Sequence, residues 1–245
     1  MRVFVTGGTG AIGGYAVPAM IAAGHDVRAL ARTDAAASAL RAHGATPVRV
    51  SLFDRDGLAE SFDHCAAVVN LASALPGTAS FVRLSAWTDC HRIRREGSAA
   101  VVDAAIAAGV PRVLQESVVM VYTDSGDRWI DEESPVDHYP IATGIYAAEA
   151  SAHRFTDSGT YNIVDDLPVT KRNHTAALAG AVGRHPVVTG PGRAALLLGE
   201  RTTSLTRSLR VSNKRFRSAG GWQPQYHSVW EGYAQMARRL GGGSS

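Results

Sequence analysis

The chain has 245 residues, of which 45% are hydrophobic and 19% are charged, and its formal net charge at pH 7 is +3. A chain of this length buries a large apolar core without cross-links. Its two cysteines, Cys65 and Cys90, exclude a disulfide scaffold and a Cys-x-x-Cys metal site, and no metal is predicted. The small, dispersed positive charge gives no indication of nucleic-acid binding.

The sequence shows neither a secretory leader nor a membrane span. The first ten residues, MRVFVTGGTG, contain no apolar leader region, and no apolar run approaches the roughly 18 residues that cross a bilayer. We therefore expect a soluble, cytoplasmic protein of a reducing compartment that has no membrane partner.

Short apolar segments alternate with alanine-rich segments of helical length over the first half of the chain. The predicted strands are residues 3–6, 27–30, 47–50, 68–71 and 113–116. The predicted helices between them are residues 13–23, 34–43, 56–62 and 97–108. This alternation predicts an α/β fold, a Rossmann-type doubly wound parallel sheet with helices on both faces.

A glycine-rich turn, TGGTGAIG at residues 6–13, joins the first predicted strand to the first predicted helix. Gly7 permits the tight turn, Gly10 lets the backbone approach a pyrophosphate, and Gly13 lets the helix pack on the strand. The free N–H groups at the start of the helix favour an anion. The turn therefore predicts a dinucleotide site; the alternative is a glycine-rich turn without a ligand.

The end of the second predicted strand bears on which dinucleotide binds. An acidic residue there bonds the ribose 2′-hydroxyl of NAD, whereas an arginine accommodates the 2′-phosphate of NADP. Arg32 occupies this position, which favours NADP, unless it is an ordinary surface arginine. NAD stays the alternative because Asp34, two residues later, is close enough along the chain to reach a ribose.

The second half of the chain has a different pattern. We expect a solvated acidic loop over residues 124–137, helices over 141–155 and 171–182, and a strand over 160–164. Seven basic residues lie between 193 and 217, and these arginines and one lysine either meet substrate phosphates, cover the surface or pair with the acidic loop. The predicted domains are a dinucleotide-binding domain over 1–158, a small substrate-binding portion over 159–240 and a flexible tail over 241–245.

These motifs resemble those of the extended, atypical short-chain dehydrogenase/reductases, which include NAD(P)-dependent epimerases and dehydratases. The matching segments are TGGTGAIGG at the start, NLASA at 70–74, residues 97–113, SVVMVY at 117–122 and residues 212–232. The resemblance implies that the dinucleotide contacts the turn, the end of the second strand, and the segments after the third and fourth strands. The implied cofactor residues are Gly7, Thr9, Gly10, Ala11, Ile12, Gly13, Arg32, Leu52, Leu71, Ala72 and Ser73.

The sequence departs from that family at its catalytic motif, Tyr-x-x-x-Lys, and at a serine or threonine after the fifth strand. The only lysines, Lys171 and Lys214, do not follow any tyrosine by four residues. The resemblance therefore implies Tyr146, on the helix after the fifth strand, as the acid or base, and Ser117 as the group that polarises a carbonyl. Tyr122 and His153 are the alternatives for the proton.

Two further departures concern one residue and the length of the chain. Arg94 stands where the family commonly has an asparagine. About 80 residues that the family carries near residue 158 are missing, either through a real deletion or because a stretch is absent from this sequence.

The first hypothesis for the function is an NADP(H)- or NAD(H)-dependent oxidoreductase or epimerase. Its small-molecule substrate would carry a hydroxyl or carbonyl group, with sugars and nucleotide sugars among the candidates. The alternative is a catalytically silent NADP(H)-binding redox sensor or scaffold. A third reading is an interaction module whose glycines are structural. The family resemblance also implies a homodimer.

Overall fold

A computed structural model describes residues 1–81, 83–155, 159–184 and 206–241 of the chain. It divides into two compact units. The first comprises Met1–Val118 and Tyr139–Ser158, and the second comprises Val119–His138 and Gly159–Ser245. Residues 119–138, which the sequence predicts as part of the dinucleotide-binding domain, group with the second unit.

The first unit contains a five-stranded sheet with the order β3-β2-β1-β4-β5, in which every neighbouring pair is parallel. The strands are β1 Arg2–Thr6, β2 Asp26–Leu30, β3 Thr46–Val48, β4 Ala67–Asn70 and β5 Val113–Gln115. All five predicted strands are present, with ends that differ from the predictions by one or two residues. The predicted doubly wound parallel sheet is therefore confirmed.

Helices connect successive strands of this sheet, as the alternating sequence pattern predicts. They are α1 Gly13–Ala22, α2 Asp34–Ala42, α3 Arg55–Ser61, α4 Thr88–Arg92 and α5 Ser98–Ala107, and a further helix, α6 Thr143–Ala152, follows β5. Thr33 and Asp54 begin α2 and α3 as side-chain caps, since each accepts a hydrogen bond from the backbone N–H three residues ahead. A π-helical turn, Ile93–Gly97, joins α4 to α5.

Two buried clusters form the core of the first unit. Phe4, Phe62 and Val101 belong to one cluster, and Val5, Val17 and Leu40 belong to the other. Phe4 and Val5 are adjacent in β1, so their side chains point to opposite faces of the sheet. Helices therefore cover both faces, which explains why the strands read as continuous apolar runs.

The second unit has less regular structure among its described residues. A two-residue strand, β6 Trp129–Ile130, pairs in parallel with β7 Arg210–Val211. Three helices accompany the strands: α7 Lys171–Ala181, α8 Lys214–Gly220 and α9 Val229–Gly241. The prediction of a strand over residues 160–164 is wrong. Backbone groups of this segment form hydrogen bonds with side chains instead of with a neighbouring strand. Glu132 accepts the N–H of Asn162, and the Asn213 amide donates to the Val164 carbonyl.

The segment predicted as a solvated acidic loop is partly structured. Ile130 is fully buried beside Tyr122 and Val211, which explains why β6 forms within it. Among the described residues, no helix is long and apolar enough to cross a membrane.

Candidate functional site

The turn between β1 and α1 leaves no room for side chains at two of its glycines. Gly7 has a φ of +68°, and a Cβ atom there would lie 2.4 Å from the Leu71 carbonyl oxygen. A Cβ atom on Gly13 would lie 2.2 Å from the Gly7 carbonyl oxygen. A Cβ atom on Gly10 would come no closer than 3.1 Å to the protein. The exposed side of Gly10 is therefore the part of the turn that is open to a ligand.

The N-terminus of α1 has no side-chain cap. Ile12 occupies the capping position without capping the helix, and the N–H groups of Gly10 and Gly14 are used within the turn, at 2.9 and 2.8 Å from the carbonyls of Gly7 and Gly10. The first N–H groups of a helix have no intrahelical partner. The N–H groups of Tyr15 and Ala16 bond to the Ile12 carbonyl, so among the described residues the N–H groups of Ala11, Ile12 and Gly13 stay available. Since Thr9 and Ala11 are also exposed, these donors and the positive helix end face an anion such as a pyrophosphate.

Arginines and an aspartate follow the neighbouring strands β2 and β3. Arg32 is exposed and has no hydrogen bond or ion pair in the described part of the chain. Asp34, the first residue of α2, accepts a hydrogen bond from the guanidinium of Arg49, the first residue after β3. Sequence reasoning did not identify Arg49, since its partner lies 15 residues away.

A buried amide joins the ends of three strands beside the glycine-rich turn. Asn70, 1% exposed, accepts a hydrogen bond from the Thr6 hydroxyl at 2.5 Å. Its amide nitrogen donates to Gln115 at 2.7 Å and to Ser98 at 3.1 Å. Thr6, Asn70 and Gln115 are the last residues of β1, β4 and β5, so this network fixes the edge of the sheet where the predicted ligand would lie. The sequence signal for it is a single polar residue in an apolar strand.

The predicted residues after β4 form the wall behind the turn. The Leu71 N–H donates to the Thr6 carbonyl at 3.2 Å, and the Leu71 and Ala72 backbone lies against Gly7. Leu71 and Ala72 are half-buried, whereas Ser73 is exposed. The structure thus brings the β4 segment and the glycine-rich turn together, as the resemblance implies.

Leu52, predicted beside the adenine, belongs to the buried core. It is 8% exposed, and its Cδ2 lies 2.7 Å from the position of a Cβ atom on Gly97. Its neighbour Phe53 is partly exposed, and the Arg92 guanidinium lies 4.3 Å from the centre of its ring. Phe53, which sequence reasoning missed, therefore presents an aromatic surface at this place.

The residues predicted for catalysis lie after β5 and on α6. The Ser117 hydroxyl donates a hydrogen bond to the Glu149 carboxylate at 2.5 Å. Tyr146 lies three residues before Glu149 on the same helix and is half-buried. A hydroxyl has one proton. While Ser117 donates that proton to Glu149, its oxygen can only accept a hydrogen bond from any further group. Glu149 has no counterpart in the motif from which Ser117 and Tyr146 were predicted.

Arg94 and Glu116 form a buried ion pair next to these residues. Their side chains are 2% and 16% exposed, and Arg94 Nη2 donates to Glu116 at 2.7 Å. Burial raises the pKa of Glu116, and the Arg94 charge opposes that rise. Arg94 Nη1 is buried and has no hydrogen-bond partner among the residues that the structure describes. A Cβ atom on Gly144 would lie 3.2 Å from Arg94 Cβ, so the π-helical turn packs closely against the start of α6.

The alternative proton carriers occupy other surroundings. The Tyr122 hydroxyl donates to the Asn162 side chain at 3.0 Å, and Tyr122 is 4% exposed in the second unit. His153 follows the last residue of α6 and is exposed. The structure therefore places Tyr122 in a packed core rather than at an open surface.

Carboxylates engage the basic residues of the second unit. Arg207 pairs with Asp137, Arg215 with Glu133 at 2.8 Å and Arg217 with Asp166 at 2.9 Å. Asp137 and Glu133 belong to the predicted acidic loop, so Arg207 and Arg215 pair with that loop, which is one of the alternatives predicted for the basic residues. Arg193, Arg201 and residues 156–158, beside which the family resemblance implies a missing stretch, lie outside the described residues.

Comparison with known proteins identifies the family of the chain. A sequence model described as NAD(P)H-binding matches residues 7–178. The 4-hydroxy-2-methyl-3-oxo-4-farnesyl-3,4-dihydroquinoline-1-oxide ketoreductase of Stigmatella aurantiaca is 32% identical over 155 residues, which are 63% of this chain and 44% of that protein. Matches to curated relatives span 23% to 54% of the relatives' own lengths.

Solved structures of similar fold cover almost the whole chain. The Bordetella bronchiseptica enzyme WbmG in complex with NAD has a TM-score of 0.73 and 16% identity, over 97% of this chain and 93% of that one. The human epimerase family protein SDR39U1 (isoform 2) with NADPH also has a TM-score of 0.73, with 20% identity over 98% of this chain and 100% of that one. The likeness to these structures shows the fold, and the sequence model shows that the chain belongs to the NAD(P)H-binding family.

Proposed function

We propose that the protein is an NADP(H)-dependent oxidoreductase that acts on a hydroxyl or carbonyl group of a small molecule. The observation that carries this proposal is the β1–α1 turn. Gly7 and Gly13 leave no room for a side chain against the protein, whereas Gly10 is open to a ligand. The ketoreductase activity named for the relative in Stigmatella aurantiaca supports the reaction class. Sugars and nucleotide sugars are the candidate substrates that the resemblance suggests.

The residues present fit a bound dinucleotide. The uncapped start of α1 would hold the pyrophosphate, and Arg32 would hold a 2′-phosphate. Leu71, Ala72 and Ser73 would line the cofactor beside the turn. When bound, NADP(H) supplies the hydride chemistry, and the protein supplies orientation and a path for the proton.

Ser117 and Tyr146 are the residues proposed to act on the substrate. Because the Ser117 hydroxyl donates its hydrogen bond to Glu149, its oxygen is available to accept a hydrogen bond from a substrate hydroxyl. Polarising a carbonyl requires the Ser117 proton to turn away from Glu149 and toward the substrate. Tyr146 would donate the proton to the reacting oxygen or accept it from there, which is the role of the motif tyrosine in the family.

One observation favours the second candidate, a silent NADP(H)-binding sensor. Ala150 stands four residues after Tyr146, where the family has the lysine that lowers the pKa of its tyrosine. A phenol whose pKa stays near its ordinary value of about 10 is a poor proton donor and acceptor at neutral pH, and in the family the lysine is the group that lowers that pKa. Arg94, whose Cβ lies 3.2 Å from the position of a Cβ atom on Gly144 at the start of the same helix, is a permanent cation, and its guanidinium pairs with Glu116.

The test begins with calorimetric titrations of the purified chain with NADPH and with NADH. Tight, selective NADPH binding supports the proposed cofactor, and binding of neither refutes both dinucleotide proposals. Loss of NADPH absorbance with a panel of ketones, aldehydes and nucleotide-sugar carbonyls then supports the oxidoreductase. Binding without turnover of any of these carbonyls favours the sensor.

A further inference from the structure

The ends of β2 and β3 bring two arginines to one edge of the sheet. The two strands are parallel, with Leu30 opposite Val48, and the Ala31 N–H continues the ladder to the Val48 carbonyl at 2.9 Å. Arg32 and Arg49 follow immediately after this last rung. Both guanidiniums therefore start from neighbouring points at the carboxyl edge, where dinucleotides bind in open α/β sheets.

A single carboxylate stands between these arginines along the chain. Asp34 opens α2 and pairs with Arg49, although its side chain is fully exposed and that of Arg49 is about half exposed, at 48%. Thr33 caps α2 by accepting the N–H of Ala36, so Asp34 is not needed as the cap. The pairing thus occupies the one acidic group that the sequence offers as a ligand for a ribose hydroxyl.

An exposed pair of this kind is held weakly and exchanges its partner readily. Water screens the attraction between the two charges, and ordering two mobile side chains opposes it. A phosphate carries more negative charge than a carboxylate and matches the planar fork of a guanidinium with two hydrogen bonds. A phosphate near Arg49 therefore competes successfully with Asp34, whereas a ribose hydroxyl does not.

We propose that Arg49 is a residue that determines cofactor specificity. Paired with Asp34, it keeps that carboxylate from the 2′-hydroxyl of NAD; in the presence of NADP it exchanges Asp34 for the 2′-phosphate, beside Arg32. The inference rests on the proposed dinucleotide function and adds to it the selection of NADP. It makes opposite predictions for the two members of one ion pair.

The test measures direct binding of the adenine-side fragments, adenosine 2′,5′-bisphosphate and 5′-AMP, by calorimetry at one fixed salt concentration. In Arg49→Ala, the affinity for the bisphosphate falls about tenfold, the equivalent of one charge-assisted contact, while that for 5′-AMP changes by less than about twofold. In Asp34→Asn, which frees Arg49 and removes a negative charge, the affinity for the bisphosphate rises severalfold.

Arg41→Ala and Asp63→Asn are the matched controls. Arg41 lies in the last turn of α2 and Asp63 precedes β4, so each makes the same charge change at the opposite edge of the sheet. Thermal unfolding of every variant verifies that it is folded. The proposal is supported if the bisphosphate affinity falls in Arg49→Ala and rises in Asp34→Asn. The controls should leave the ratio of the bisphosphate affinity to the 5′-AMP affinity unchanged.

Three results overturn the proposal while leaving dinucleotide binding intact. They are an unchanged ratio in Arg49→Ala, a weaker bisphosphate affinity in Asp34→Asn, and an equal shift of the ratio in the controls. The first shows that Arg49 never meets the 2′-phosphate, and the second shows that Asp34 itself contributes to the site. If the unaltered chain binds neither fragment nor NADPH, the proposed function fails, and the specificity role of Arg49 fails with it.

Discussion

Gly10 and Gly13 lie three residues apart in the same turn but have different surroundings. Gly13 packs directly on the Gly7 backbone, whereas Gly10 is exposed. The Gly13 contact is internal to the protein, whereas the surface of Gly10 is free for a ligand. The two glycines therefore separate the structural need for glycine from the functional one.

Substitution Gly10→Val should abolish NADPH binding, because the new side chain occupies the space of the pyrophosphate. The fold should persist, since the closest protein atom to the added Cβ is 3.1 Å away and a shift of a few tenths of an ångström accommodates it. Calorimetric titration measures the binding, and thermal unfolding measures the stability. Unchanged affinity for NADPH would remove both dinucleotide hypotheses.

Gly13→Ala provides the contrast for that experiment. Its Cβ would lie 2.2 Å from a backbone oxygen, so the turn itself has to move. We therefore expect Gly13→Ala to lower the stability of the fold, whereas Gly10→Val removes the space for the ligand.

Tyr146→Phe tests the proposed proton carrier. If Tyr146 exchanges the proton with the substrate, the substitution should lower turnover by about a hundredfold or more while the affinity for NADPH stays the same. Steady-state kinetics on a responsive carbonyl, together with NADPH titration, separates the two effects. Tyr161→Phe, which removes an exposed hydroxyl from the second unit, is the control. Equal turnover in Tyr146→Phe would assign the proton to His153 or Tyr122 instead.

At the scale of elements, the ends of β1, β4 and β5 depend on one side chain. Asn70 uses its amide oxygen and nitrogen to join Thr6, Gln115 and Ser98 in a buried network. The strands would still be parallel without it, but their polar ends would be buried without partners. Such a network holds the floor of the proposed site in one arrangement.

Asn70→Ala should lower the free energy of unfolding by about 2–4 kcal/mol, because several buried groups lose their partner at once. Urea denaturation measures this change. The matched control is Asn173→Ala, in which an exposed asparagine of α7 is replaced, and it should change the stability by less than about 0.5 kcal/mol. A loss below about 1 kcal/mol in Asn70→Ala would show that water or neighbouring groups replace the network.

At the scale of the whole molecule, acid stability depends on a carboxylate of the second unit. Hydrogen bonds from Asn213 and His227 hold the pKa of Asp166 below its ordinary value of 3.8, and the charge of Arg217 acts in the same direction. The folded state therefore binds a proton less readily than the unfolded state does. Asp166 stabilises the fold above pH 3.8, and this stabilisation is lost as the pH falls through its lower folded pKa.

The dependence on Asp166 is measurable by urea unfolding at pH values between about 5 and 2. The unfolding free energy should fall more steeply with acidification in the unaltered chain than in Asp166→Asn, which has no proton to gain at this position. Asp63→Asn, with the same change of charge at an exposed site, should follow the unaltered chain. Identical slopes for the chain and Asp166→Asn would contradict the role of this carboxylate.

Local patterns in the sequence determined the first unit. Apolar strand segments, capping residues such as Thr33 and Asp54, and the glycine-rich turn act over a few neighbouring residues, so their positions could be predicted. The family resemblance then indicated where a dinucleotide would lie. In the second unit, the strand predicted over 160–164 failed because β propensity depends on a neighbouring strand, which the sequence does not specify.

Local residue patterns were enough to predict the parallel fold, the glycines of the turn and the candidate cofactor class. Only the tertiary structure decided the partners of the polar groups: Glu149 for Ser117, Asp34 for Arg49 and Glu116 for Arg94. The physical reason is the range of the interactions. Backbone propensity and apolar periodicity are written into adjacent residues, whereas a hydrogen bond or ion pair joins residues that only the folded chain brings within about 3 Å.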